Sequence, residues 1–450
     1  MGSTVTLGAL HTDLYELNMM SAAVHSGIAD KLVTFELSVR TLPPERRYLV
    51  ACGIERAAEL LPELRFHSSE LEYLARIPAL QPAWTDQVRQ AFEEFAFRGE
   101  LWAVPEGTVV FGREPLVRVT ARLFEAQLIE TLLLGIVNTE TLVASTASRI
   151  AQAAGSAGVL EFGARRTSPE EAIQSARAAY LAGFAKTSYV QAGRRYGIPV
   201  AGTLAHAWMM AHEREVDAFR SWVDVHGPEG STLLIDTYDP ERGLENALTA
   251  AGTRLGAVRL DSGDLAATAR RIRQLLDEAG ATQTRIVASG DLTAERIAAL
   301  RRDGAPIDAF GVGTALVRSI DAPALSGVYK LVYDHDRDAP VLKTSSEKKT
   351  WPGCHQIVRS RDAEGFFSGD EVCLVEEAEG GLLERFAAGG ERVRPPDSLE
   401  TSRSRLQEQL SRFRPEVHSL DPAPEPAYPV RWSEGVRGLM QQALESLASD

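Results

Sequence analysis

From Leu32 to Arg40 the chain reads LVTFELSVR, with Val33, Phe35, Leu37 and Val39 alternating with Thr34, Glu36, Ser38 and Arg40. That period of two predicts a half-buried β-strand. Tyr48 to Ile54 is a second strand candidate, and in IERAAELLPEL the residues Ile54, Ala57, Ala58 and Leu61 share a helical face. Ser69 and Glu72 have the spacing of a capping box for the next short helix. The runs LWAV, TVVF and LVRVTA between Leu101 and Ala121 are strand-like, and Pro105–Gly107 and Gly112–Pro115 separate them with turn chemistry. A proline-free helical stretch follows from Phe124 to Ala154.

After Gly155 the pattern becomes an alternation of short β-branched runs with amphipathic helices. The runs are VLEFG, TSYV, IPVAGT, TLLID, AVRL, RIVASG, AFGVGT and VYKLVY. Such alternation predicts parallel strands joined by helices, and eight is the number that closes a barrel, here from Val159 to Val332. Beyond it VLKTS and CHQIVR read as strands again. Leu399–Phe413 reads as a charged helix, Pro415–Pro429 as a proline-rich strap held by Tyr428, Trp432 and Leu439, and the chain closes on a helix through Leu447. The expected organisation is an α+β domain over residues 1–123 to which 336–395 return, an α/β barrel with a leading helix over 124–335, and a C-terminal helical extension over 396–450.

Composition narrows the function classes. The chain has 450 residues, 44% of them hydrophobic and 24% charged, which is the profile of a folded globular protein. Lys+Arg 48 against Asp+Glu 62 gives a net charge of -14, which opposes a broad grip on nucleic acid or anionic lipid. Cys52, Cys354 and Cys373 have neither zinc-site nor disulfide-framework spacing, so a reducing cytoplasm is expected. No apolar run reaches the ~18–20 residues of a membrane span. The opening MGSTVT matches a myristoylation pattern too short to carry weight.

The polar residues gather at the ends of the barrel runs, where loops are free to vary while packed strands hold them still. VLEFG is followed by Arg165 and Arg166, IPVAGT by His206, TLLID by Tyr238 and Asp239, AVRL by Asp261, Ser262 and Asp264, and RIVASG by Asp291. Ser289–Gly290 and Gly311–Thr314 precede helical turns, and such glycine loops let backbone N–H groups approach phosphate oxygens; the bland alternative is that Gly311 and Gly313 permit only tight packing. Arg259 suits an anionic substrate, and Asp261 or Asp264 suits Mg²⁺ or ribose hydroxyls, although Asp264 equally fits a helix cap. His206 is either a structural hydrogen-bonder or, beside phosphate-binding groups, a nucleophile. A Schiff-base lyase using Lys186 or Lys330 is a further reading of a barrel, and a non-catalytic nucleotide-binding barrel another.

Long segments then resemble one family. TDLYEL at Thr12–Leu17, FELSVRTLP at Phe35–Pro43, LEFGARR at Leu160–Arg166, GTLAHAW at Gly202–Trp208, STLLIDTYDPERGLENAL at Ser231–Leu248, RLDSGDL at Arg259–Leu265, VASGDL at Val287–Leu292, and DAFGVGT through GVYKLV from Asp308 to Val332 resemble the nicotinate phosphoribosyltransferases. The resemblance covers almost the whole chain, in order. It implies an atypical (β/α) barrel with a discontinuous N-terminal α+β domain, and a homodimer whose active sites draw on both subunits. It implies transfer of the phosphoribosyl group of phosphoribosyl pyrophosphate to nicotinate, with ATP and Mg²⁺, through a phosphorylated His206. It places Tyr15, Thr203 and Arg259 around nicotinate with Phe162 and Tyr15 sandwiching the ring. Arg165, Asp261, Gly290, Asp291, Gly313 and Thr314 fall to phosphoribosyl and phosphate contacts, beside Ser289. The nicotinamide-using relatives, the alternative assignment, carry an aspartate near Ser188; serine there leaves the negatively charged acid as the favoured substrate. The chain departs from the expected pattern at Ala207, Tyr189 and the Glu45–Arg47 loop, which bears on phosphate binding and loop closure.

Overall fold

A computed structural model describes residues 7–344, 350–420 and 428–449, so the MGSTVT opening and part of the proline-rich stretch lie outside the described residues. The chain divides into two compact units, one of residues 1–142 with 324–450, the other of residues 143–323. Helix Glu130–Ala154 runs through the point of division.

In the first unit the strand Leu32–Val39 lies between Gly327–Asp334 and Pro115–Arg122, antiparallel to both, inside a seven-stranded sheet. Its alternation predicts one solvated face, yet Thr34 and Glu36 are buried as well as Phe35 and Leu37. The reason is polar pairing across the covered face: the Glu36 carboxylate accepts from the His355 backbone N–H and pairs with its Nδ1, both at 2.7 Å, and the Thr34 hydroxyl meets Thr120 and His335 at 2.8 Å. The Tyr48–Ile54 candidate shortens to Leu49–Val50, paired with Val109–Val110. Helix Ser68–Leu74 starts one residue before the expected Ser69 cap, with Glu70 reaching back to the His67 N–H at 2.7 Å. Of the two later strand candidates, CHQIVR forms His355–Arg361, whereas Val341–Thr344 are not in a strand. Tyr428 and Trp432 do anchor the C-terminal strap: Tyr428 stacks on Phe111 and Trp432 on Trp351.

The second unit carries a curled, all-parallel sheet. Among the described residues it has six strands, in the order Lys186–Thr187, Gly158–Glu161, Ala309–Val312, Arg285–Ala288, Ala257–Leu260, Thr232–Leu234. The α/β, atypical-barrel expectation holds, but the count of eight does not. IPVAGT contributes one bridge, Thr187 to Val200, and VYKLVY belongs to the antiparallel sheet of the first unit, where Lys330 sits opposite Glu36. Alternation identifies a strand without saying which edge it joins. The central strands are nearly continuous in burial, with Val258, Leu260, Ile286, Ala288, Phe310 and Val312 all sealed, as strands covered on both faces must be. Parallel pairing throughout puts all six C-terminal strand ends on one edge. The loops that hold the candidate residues therefore converge there.

The helices between the strands start where their caps say. Asp264 accepts from the N–H groups of Ala266 and Ala267, both at 3.1 Å, opening Leu265–Glu278, so the capping alternative for Asp264 is the one observed. Thr293 opens Ala294–Arg302 and Asp239 opens Pro240–Ala251 in the same way.

One buried acid at this edge gives a pH-dependent test. Glu161 is sealed in the sheet and accepts from the Thr187 hydroxyl at 2.5 Å and from the Gly163 N–H. Burial pushes its carboxyl above the usual range, and these two bonds only partly offset it. An acid whose folded-state pKa is raised favours the folded state at low pH, and that contribution is lost as pH climbs from the ordinary glutamate range through the raised value. Thr187→Val removes a donor to the charged form and is expected to cost about 1–3 kcal/mol, more at about pH 8 than at about pH 5, in chemical denaturation. Equal losses at both pH values would contradict the assignment.

Candidate active site

Arg259 lies between Val258 and Leu260 on the strand Ala257–Leu260, so its side chain leaves the sheet on the opposite side from those two sealed residues. Its guanidinium reaches three neighbouring segments. Nε donates to Ser289 Oγ at 2.7 Å, Nη1 to Thr203 Oγ1 at 2.9 Å, and Nη2 to Asp261 Oδ1 at 2.6 Å. The side chain is 11% exposed, so these bonds are made largely out of water, where they are stronger. A guanidinium has five N–H donors, and three are engaged here, leaving two for a ligand.

Asp261 is the second centre. Its Oδ1 also accepts from the Ser289 hydroxyl at 2.5 Å, and its backbone N–H donates to Asp236 Oδ2 at 2.7 Å. Partial burial opposes its ionisation, but the Ser289 hydroxyl, the Arg259 guanidinium and the His206 imidazole together outweigh it and hold the carboxyl below the usual carboxylate range. His206 opens the short helix His206–Met210 and is half-buried. Its Nδ1 lies 3.1 Å from Thr237 Oγ1, and its Nε2 faces Asp261 Oδ2 at 3.9 Å.

The glycines set how closely the loops approach. Gly290 has φ +90°, and a Cβ there would stand 2.0 Å from the Asp261 carbonyl oxygen, so only glycine lets these two loops touch. Asp291 follows with φ +45°, giving two consecutive left-handed residues. At Gly311 a Cβ would meet the Phe162 ring at 2.4 Å, and at Gly313 the Phe162 carbonyl oxygen at 3.0 Å. Gly311 therefore does serve close packing: it seats Phe162, whose ring centre lies 5.6 Å from the Arg259 guanidinium carbon.

Direct contacts thus unite Thr203, His206, Arg259, Asp261 and Ser289, with Phe162 over the guanidinium and Gly290 against Asp261. Arg165, Ser188, Asp291, Gly313 and Thr314 stand on loops of the same edge, and among the described residues none of them hydrogen-bonds to that cluster. Tyr15 belongs to the other unit, on helix Leu14–Ser26, where it is 46% exposed. Of the two lysines considered for a Schiff base, Lys330 also lies in the other unit, and Lys186 is exposed at a strand start. Sequence reasoning missed Asp236 and Thr237. Both lie inside IDTYD, beside Tyr238 and Asp239, and their proximity to a strand end was the available signal.

The carboxylates here are those of Asp236 and Asp261. Among the described residues, the group with three close metal-type ligands is Cys52, Glu106 and Glu140, buried in the first unit. Two of them have other partners: Glu106 accepts from the Gly53 and Glu55 N–H groups, and Glu140 pairs with Arg56 at 3.0 Å, while the Cys52 thiol faces Glu140 Oε2 at 3.9 Å. Cys354 and Cys373 are free thiols. No helix among the described residues is long and apolar enough to cross a membrane.

Residues 10–138 match the family model described as the nicotinate phosphoribosyltransferase N-terminal domain, and residues 158–333 that of the nicotinate phosphoribosyltransferase family. The chain is 46% identical over 371 residues to nicotinate phosphoribosyltransferase pncB1 of Mycobacterium tuberculosis (strain ATCC 25618 / H37Rv), covering 81% of this chain and 80% of the relative. It is 42% identical over 381 residues to nicotinate phosphoribosyltransferase of Bacillus subtilis (strain 168), covering 82% and 76%. The crystal structure of human nicotinic acid phosphoribosyltransferase superposes with a TM-score of 0.84 at 28% identity, covering 96% of this chain and 99% of that one.

Two glycines separate backbone strain from loop contact. Gly280 has φ +79° with open space around its Cβ position, while Gly290 has φ +90° and the Asp261 carbonyl in the way. Gly280→Ala is expected to cost about 1 kcal/mol from conformation alone, and Gly290→Ala distinctly more. Equal losses in denaturant titrations would show that the two loops do not depend on this contact.

Proposed function

The chain belongs to the nicotinate phosphoribosyltransferase family, and from that premise we propose that ATP drives its reaction through phosphorylation of His206. The reaction joins nicotinate to the phosphoribosyl group of phosphoribosyl pyrophosphate, giving nicotinate mononucleotide and pyrophosphate, the first step of NAD salvage from nicotinate. The bond between ribose C1 and the pyrophosphate oxygen breaks as the pyridine nitrogen bonds to C1. The ring nitrogen brings its own lone pair, so no general base takes part.

The observation that carries the site reading is the Arg259 guanidinium, held by three partners with donors to spare. It meets the nicotinate carboxylate beside Thr203. Phe162 holds a face of the pyridine ring, which lowers the orientational part of the barrier, and Tyr15 is the second aromatic residue proposed for nicotinate. Ser188 brings no carboxylate to repel the acid, which favours nicotinate over nicotinamide. Asp261, kept ionised, together with Arg165, Ser289, Gly290, Asp291, Gly313 and Thr314, takes the ribose and phosphates. Mg²⁺ is satisfied by one or two carboxylates with phosphate oxygens and water, and Asp261 Oδ2 suits it; the ion would offset charge on the departing pyrophosphate.

A ring nitrogen of His206 attacks the γ-phosphorus of ATP, an N–P bond forms as the bond to the β-phosphate oxygen breaks, and ADP leaves. Water later cleaves the N–P bond to release phosphate. The added charge beside Arg259 reorganises substrate contacts between those two events. The working form is a homodimer with shared active sites, for which the exposed Leu14, Tyr15 and Met19 on one helix offer a surface. Its substrates are small molecules, and the net charge of -14 and three cysteines without disulfide-framework spacing favour a cytoplasmic enzyme that binds neither nucleic acid nor membrane.

Turnover with nicotinate, nicotinamide and quinolinate in parallel, with and without ATP, is expected to favour nicotinate with ATP. His206→Ala is expected to abolish the ATP stimulation and to leave slow ATP-independent transfer. Unchanged coupling of ATP hydrolysis to product formation in that variant rules His206 out.

A further inference from the structure

We infer that Asp236 and Thr237 form a two-residue clamp that fixes the His206 imidazole against the Arg259–Asp261 pair. The segment that carries them is held at both ends. Upstream, the Ile235 N–H donates to the Arg259 carbonyl at 3.2 Å and the Ile235 side chain is sealed in the core. Downstream, Asp239 caps helix Pro240–Ala251 through the Arg242 N–H at 2.9 Å, and Gly243 of that helix packs so closely that a Cβ would stand 2.0 Å from the Ile235 carbonyl oxygen. Only Asp236, Thr237 and Tyr238 span the gap between these anchors.

Within that short span the side chains diverge to different tasks. Asp236 Oδ2 accepts from the Asp261 backbone N–H at 2.7 Å and from the Ser262 hydroxyl at 2.8 Å, which fixes the loop that carries Asp261. Thr237 Oγ1 takes His206 Nδ1 at 3.1 Å. Tyr238 is exposed. The backbone around the histidine is anchored by Arg259 at Thr203 and by the buried Leu204 and Met209, and among the described residues the hydrogen bond to its ring comes from Thr237. With Nδ1 held by Thr237, the ring presents Nε2 toward Asp261, and the 3.9 Å separation follows from two bonds made by adjacent residues. Thr237 is thus a positioning residue for the imidazole, and Asp236 one for Asp261.

The clamp rests on the reading of His206 as the phosphoryl carrier, and the two can fail separately. Phosphoenzyme formation is followed by rapid quench with γ-labelled ATP in the full-length protein, in Thr237→Val and in Thr237→Ser, and the His206 ring nitrogens are observed by ¹⁵N NMR in each. Thr237→Val, nearly the same shape without the hydroxyl, is expected to slow labelling on the order of 10²-fold, the scale of a misplacement of about 1 Å, and to move the Nδ1 resonance. Thr237→Ser restores the hydroxyl and is expected to recover most of the rate and the native resonance. Labelling of Thr237→Val at the native rate with an unmoved resonance overturns the clamp, as does a serine variant no better than valine. If the native protein takes no label, the phosphohistidine reading falls, and the Nδ1 resonance of Thr237→Val alone then decides the clamp: moved supports it, unmoved overturns it.

Discussion

A single guanidinium organises the edge of the parallel sheet where the candidate residues gather. Arg259 projects from a strand whose neighbouring residues are sealed in apolar core, and its planar fork ties together the segments bearing Thr203, Asp261 and Ser289. A charge in such a place is costly unless it is paired and hydrogen-bonded. The pairing is supplied by Asp261, which the same arrangement keeps ionised. Removing any one partner leaves the others with an unmatched, partly buried polar group, so the cluster forms as a unit.

The curled parallel sheet makes this possible. Because all six strands run the same way, residues distant in sequence reach one edge without long loops, and close contacts at Gly290 and Gly311 bring neighbouring loops within van der Waals distance. The binding and coupling roles proposed for the site then divide cleanly. In that proposal Arg259, Thr203 and Phe162 address the acid ring, the glycine loops address phosphates, and His206, which stands beside Asp261, carries the phosphoryl group.

Much of this was legible in the sequence, for identifiable reasons. Alternating β-branched runs with polar residues at their ends disclosed the parallel sheet and the loops that matter, since both follow from local pattern. The partner of a strand is not local: VYKLVY reads like any barrel strand, yet it lies antiparallel to Leu32–Val39 in the other unit. Burial of Glu36 and Thr34 was invisible for the same reason, because their partners His355, Thr120 and His335 are remote in sequence. Asp236 and Thr237 were passed over in favour of the adjacent Tyr238 and Asp239. Only coordinates distinguish the exposed tyrosine and the capping aspartate from the two residues that reach the cluster.

The account stands on the fork geometry of Arg259, and the most direct measurement is kcat/KM for nicotinate in Arg259→Lys. Lysine keeps the charge but cannot hold three partners in one plane while offering further donors. A fall on the order of 10²-fold is predicted, the scale of lost orientation at a reacting centre. A lysine variant that uses nicotinate within about threefold of the native protein would show that charge alone suffices, and would contradict the central role assigned to the guanidinium.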